Sequence, residues 1–148
     1  PEDEEEDEMQ RQMLMNKLAM NECIEVFSTD DLVEWYESMS YPLVKGIKRK
    51  ELQKLLRKVL NWMAAPLEDL RQQCDDLQAY TVDPSTYSEE EQRQSFVQQL
   101  VLHERIEGMS PMDLTEWYKT TGLPVEKGMK RTDLQKLLRR VMSWRARP

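Results

Sequence analysis

Glycine, phenylalanine, cysteine and histidine are scarce in this chain: four, two, two and one among 148 residues. So few glycines and phenylalanines, beside ten methionines, argue for helical packing rather than sheet. Cys23 and Cys74 belong to no CxxC or Cys/His cluster, which argues against a zinc site and a disulfide scaffold. Two reduced thiols are expected. The single histidine, His103, has Asn21 in the matching place 82 residues earlier, and no Gly-rich phosphate loop, nucleophile elbow or metal motif occurs. The chain is therefore not expected to be an enzyme or to carry a metal or cofactor. No apolar run approaches the length that spans a bilayer, so no membrane insertion is expected. The first residue is Pro1 rather than Met, as expected of a fragment or a processed product. An intracellular site is expected, in the nucleus or in an organelle such as a plastid or mitochondrion.

What the chain does hold is charge, placed unevenly. The formal net charge is −7, from 21 Lys plus Arg against 28 Asp plus Glu. Seven of the acids lie in the opening "PEDEEEDE", and residues 63–91 carry eight acids and one arginine. Residues 9–62 and 92–148 are net basic, at +2 and +5. Net charge thus conceals two basic segments separated by acidic ones. The opening run repels itself and is expected to be a disordered tail over residues 1–8. Such a run either keeps the chain soluble or competes, as a polyanion mimic, for the chain's own basic patches.

The basic segments are copies of each other. "KGIKRKELQKLLRKVLNW" begins at Lys45 and "KGMKRTDLQKLLRRVMSW" at Lys127, 82 positions later. At that offset, without a gap, 26 of the 53 residues from Gln10 to Trp62 are identical. The echo includes Gln10-Arg11-Gln12 with Gln92-Arg93-Gln94, and Glu34-Trp35-Tyr36 with Glu116-Trp117-Tyr118. This is an internal repeat of roughly 50 residues. Each copy lies near the size at which one core is only marginally stable, so copies and linker are expected to support one another.

Periodicity places helices in each copy. Met13, Leu14, Leu18, Met20 and Ile24 recur at near-helical spacing between Met9 and about Val26. Ser28 to Asp31 supply oxygens for a helix start, and Leu32, Trp35, Tyr36 and Met39 share a face that Pro42 ends. A third helix is expected from about Lys48 to Met63, burying Leu52, Leu55, Leu56 and Val59. Trp35 and Trp117 are expected in the core, and Trp62 and Trp144 over its edge. Pro66 opens a linker helix to about Leu77, with Leu67, Leu70, Cys74 and Leu77 inward. "TVDPSTYS" reads as loop. The fold class is all-α: two homologous three-helix modules joined by a linker helix. The boundaries are an acidic tail 1–8, module one 9–63, an acidic linker with one helix 64–90, and module two 91–148.

The third helix is basic opposite its leucine stripe. From Lys45 to Lys58 there are seven basic residues and one acid, and from Lys127 to Arg145 the same count. Solvated faces normally mix signs, so a surface of one sign twice over points to a polyanion or an acidic partner. The stretch "SPMDLTEWYKTTGLPVEKGMKRTDLQKLLRRV" resembles the SAP family of helix–extended loop–helix modules. The likeness rests on Ser110, Asp113 and Leu114, then Gly122-Leu123-Pro124-Val125, Gly128, Lys130 or Arg131, and Leu134. Copy one has Ser40-Tyr41 in place of Gly-Leu. The resemblance implies DNA binding, with backbone contacts at Lys45, Lys48, Arg49, Lys50, Lys127, Lys130 and Arg131. Charge pattern alone adds Lys54, Arg57, Lys136 and Arg139.

Two functions follow. One is a bivalent nucleic-acid binder that holds DNA or RNA by its phosphates, two sites together strengthening attachment. The other is a protein–protein adaptor or structural subunit of a large assembly, gripping acidic partner surfaces, for which the methionines supply adaptable contacts.

Overall fold

A computed structural model describes residues 2–39, 47–79 and 81–145. They form seven helices and no strand: α1 (Glu2–Val26), α2 (Thr29–Ser38), α3 (Arg49–Ala64), α4 (Leu67–Asp76), α5 (Glu89–Gly108), α6 (Pro111–Thr120) and α7 (Arg131–Arg145). The class is all-α. The expected extended loop over residues 40–46, with Pro42 and Lys45, lies outside the described residues. The chain divides into two compact units, 1–61 and 62–148. Helix α4 falls within the second of these.

Serine caps begin three of the helices. Ser28 Oγ accepts from the Asp31 amide at 3.1 Å, Ser110 Oγ from Asp113 at 3.2 Å, and Ser88 Oγ from Glu91 at 3.2 Å. Each cap satisfies an amide that the helix itself leaves unpaired and stabilises by about 1 kcal/mol. Behind α6, Gly122 takes φ +79° and its amide returns to the Lys119 carbonyl at 3.1 Å, a turn that suits a residue without Cβ. Behind α4 the same left-handed place falls to Gln78, φ +56°, while the Ala79 amide reaches the Cys74 carbonyl at 2.9 Å.

The acidic opening is helical rather than disordered. Residues from Glu2 onward are the start of α1, and all of 2–20 are exposed. Glutamate is a good helix former, and carboxylates near a helix N-terminus meet the positive end of its dipole. Those two effects offset the like-charge repulsion.

Each unit closes on its leucines. In the first, Ile24, Leu32, Tyr36, Leu52, Leu55, Leu56 and Val59 are buried. In the second, Leu70, Cys74, Phe96, Val97, Leu100, Val101, Ile106, Leu114, Tyr118, Leu134 and Leu138 are buried. Trp35 and Trp117, expected inside, are only half-buried, and the tyrosine that follows each is the buried ring. On α2 and α6 the residue four places after the core leucine aligns with it, and the one at three falls to the flank. In the first unit Phe27 meets Trp35 edge to face, ring centres 6.1 Å apart. Leu137 and Val141 are half-buried where their counterparts Leu55 and Val59 are buried.

One set of hydrogen bonds recurs at the offset of 82. Arg49 Nη2 donates to the Glu25 carbonyl at 2.9 Å, and Arg131 Nη2 to the Glu107 carbonyl at 2.9 Å. Gln53 Nε2 donates to the Ile24 carbonyl at 3.0 Å, and Gln135 Nε2 to the Ile106 carbonyl at 3.2 Å. The third helix of each set thereby supplies donors to the carbonyl end of the first, where unpaired acceptors and the negative dipole end coincide.

Two predictions follow from this packing. Leu100→Ala should cost about 2–5 kcal/mol in urea denaturation, as buried leucines do. Leu18→Ala, at the matching position but 62% exposed, should shift the midpoint little. Both cysteines are free, and burial, with the charge of Asp75 adding to it, pushes the Cys74 thiol up to about 12. Iodoacetamide at pH 8 should therefore alkylate the half-buried Cys23 in the folded chain and reach Cys74 only after unfolding.

Candidate functional site

The basic residues singled out by sequence do not share one role. In the first unit, Lys48 sits immediately before α3, and Lys50 and Lys54 on it are exposed. Arg49 is half-buried and clamped to Glu25, with a second contact from Nη1 to Thr29 Oγ1 at 3.4 Å. Arg57 pairs with the Glu25 carboxylate at 3.3 Å, both groups well exposed. Lys45 lies outside the described residues. The outward charge of α3 is thus Lys48, Lys50 and Lys54, while its arginines face the end of α1.

In the second unit Lys127 and Lys130 are exposed, and the Lys130 amide donates to Asp133 Oδ2 at 3.3 Å, half of a capping box that starts α7. Arg131 is clamped to Glu107. Further along α7 the geometry changes. Lys136, Arg139 and Arg140 line an open hollow of about 820 Å³, together with Leu77 and Gln78 behind α4, His103 of α5, and Val141, Ser143 and Trp144 of α7. That volume falls within the range of small-ligand sites. Of the expected site residues, Lys136 and Arg139 meet here.

Three further members went unseen in the sequence as site residues. Arg140 differs from its counterpart Lys58 and was visible only as one more basic residue. Trp144, expected to cover the core's edge, is instead 74% exposed and stands at the rim. His103 has Asn21 as its repeat counterpart, so the shared pattern gave no reason to single it out. It is buried, and its Nδ1 has no hydrogen-bond partner among the described residues. The Arg139 Nε is likewise buried, with no hydrogen-bond partner among the described residues. Burial, and then the Arg139 guanidinium, push the His103 pKa below its ordinary value, while Glu107 opposes them.

Chemically, three cations on apolar walls with an exposed indole suit an anion that carries a flat ring. Among the described residues no group of three His, Cys, Asp or Glu gathers as a metal ion would need. Nor is any described helix long and apolar enough to cross a membrane. Comparison with protein-family models, curated proteins and solved structures gave no match to this chain.

His103 makes stability depend on pH in one direction. Because its pKa is lowered by folding, the unfolded chain binds the proton more readily. The contribution of the neutral ring is complete above the unfolded value, about 6.5, and is lost as pH falls from there through the folded value. Urea midpoints measured from pH 7.5 to 5 should decline, and His103→Asn, which installs the first copy's residue, should flatten that decline.

Proposed function

We propose that this chain binds nucleic acid by its phosphates, with the hollow along α7 as the leading contact. The observation that carries this reading is the convergence of Lys136, Arg139, Arg140 and Trp144 on one open cavity. Phosphates gain by releasing counterions to such cations, and an exposed indole gives a base a face to stack on. The SAP resemblance of residues 110–141 supports the same target and adds Lys127 and Lys130 as backbone contacts. Lys48, Lys50 and Lys54 form a second, weaker patch on the first unit. Two unequal sites on one chain raise affinity through effective concentration. Arg49 and Arg131 contribute to this chiefly by holding the helices that present the lysines.

Fluorescence anisotropy with single-stranded DNA, single-stranded RNA and duplex DNA at about 50 and 200 mM salt tests the proposal. The triple change Lys136→Glu, Arg139→Glu and Arg140→Glu should abolish binding at the higher salt. It should also flatten the salt dependence by roughly 0.7 per lost contact on single strands. Trp144→Ala should weaken single-strand binding by about 1–3 kcal/mol and leave duplex binding nearly unchanged. Failure of the unmodified chain to bind any of the three at low salt would overturn the proposal.

A further inference from the structure

α1 and α5 carry the same opening phrase in different surroundings. In the second unit α5 receives the segment 62–77, which comprises the end of α3, a turn at Pro66, and α4. Arg93 Nη1 donates to the carbonyls of Trp62, Met63 and Ala65, at 3.5 and 3.2 Å for the first two. Gln92 Oε1 accepts from Arg71 Nη2 at 3.1 Å, and the Arg71 guanidinium lies 5.3 Å from the centre of the Phe96 ring. Leu70 and Cys74 are fully buried on this side of α4, with Cys74 Sγ 3.6 Å from the Phe96 carbonyl.

Every receiving position has a counterpart on α1. Gln10 and Arg11 are unchanged from Gln92 and Arg93, and Leu14, Met15 and Leu18 stand for Phe96, Val97 and Leu100. The three apolar side chains buried in the second unit become ones exposed by 58%, 58% and 62%. Gln10 and Arg11 are exposed as well. An apolar face flanked by polar groups, left open on one copy and covered on the other, marks an interaction surface.

We infer that this face of α1 docks a protein partner bearing a short acidic amphipathic helix entered from a helix end, of the same build as residues 62–77. The occupant of the matching face defines its chemistry. Free carbonyls at the helix end meet Arg11, a cation or amide donor meets Gln10, and two apolar residues four apart meet Leu14 and Leu18. Charge sets the sign. α4 carries Glu68, Asp69, Asp75 and Asp76 against Arg71, while the stretch 9–21 of α1 carries Arg11, Lys17 and no acid, the acids of α1 lying before it at 2–8 and beyond it at Glu22 and Glu25. A second copy of α1 laid parallel fits poorly, since it brings two runs of seven acids together. Met15, the counterpart of the buried Val97, gives the face some of the adaptability that an exchangeable helix needs.

The test uses the full chain and a labelled peptide of residues 60–79 of this sequence as the probe. Anisotropy should show saturable binding. The pair Leu14→Glu and Leu18→Glu should weaken it at least tenfold while circular dichroism stays unchanged, because both side chains are solvent-facing. A peptide carrying Leu70→Asp should bind at least tenfold more weakly as well. The triple change in the α7 hollow should leave peptide binding intact, which separates this inference from the nucleic-acid reading. Absence of saturation, or binding indifferent to Leu14→Glu and Leu18→Glu, overturns the inference. So does sedimentation showing that the chain pairs with itself through the same two leucines, since the occupant is then a second copy.

Discussion

Where α1 and α5 end, their last carbonyls need donors, and in both halves the donors come from the third helix of the set. A guanidinium and a carboxamide four residues apart lie on one face of that helix and reach two successive carbonyls of the other. The geometry leaves little choice of crossing, because a guanidinium presents its donors in a fixed fork. The leucine stripes then pack at the angle so set. The clamp also occupies those arginines: one held on a helix end has fewer donors left for any other partner. The basic phrase therefore does two jobs, with arginines near its start holding the fold and lysines facing out.

The halves diverge beyond that clamp. α5 is covered by α4 and by α7 and buries two glutamines and a histidine along with its apolar residues. α1, similar in composition over its second half, buries only Ile24. Arg139, the counterpart of Arg57, faces His103 rather than a carboxylate, and its neighbourhood is a cationic hollow instead of an ion pair. One sequence pattern thus yields a closed core edge with a cavity on one side and a bare helix on the other. The difference lies in what packs against it.

Much of the fold was legible because its signals are local. Leu52, Leu56, Leu134 and Leu138 announce a buried helical stripe by spacing alone, and Ser28 and Ser110 announce helix starts three residues ahead of an acid. Trp35 and Trp117 escape the pattern because spacings of three and four both suggest one face. Only packing decides which of two adjacent aromatic rings goes inside. The acidic opening departs from its charge pattern for a related reason: repulsion is plain in the run itself, while helix propensity and the dipole act in the opposite direction. Of the site, Lys136 and Arg139 could be named from charge pattern. Trp144 and His103 could not, because neither carries a local mark of its neighbours.

The sequence by itself determined that this chain is helical, that its basic residues gather on the third helix of each copy, and that the two copies share one design. Those are properties of residues a few positions apart, governed by helical periodicity, capping and charge. Tertiary structure alone decided that Arg49 and Arg131 turn to helix ends, that Lys136, Arg139, Arg140 and Trp144 share a hollow, and that Leu14 and Leu18 stay bare. Each of those depends on which distant segment reaches a given face, and α4 reaches α5 while no described segment covers the matching face of α1. Identical phrases acquire different chemistry when the burial around them differs, because burial sets both the strength of a charge and the exposure of an apolar side chain.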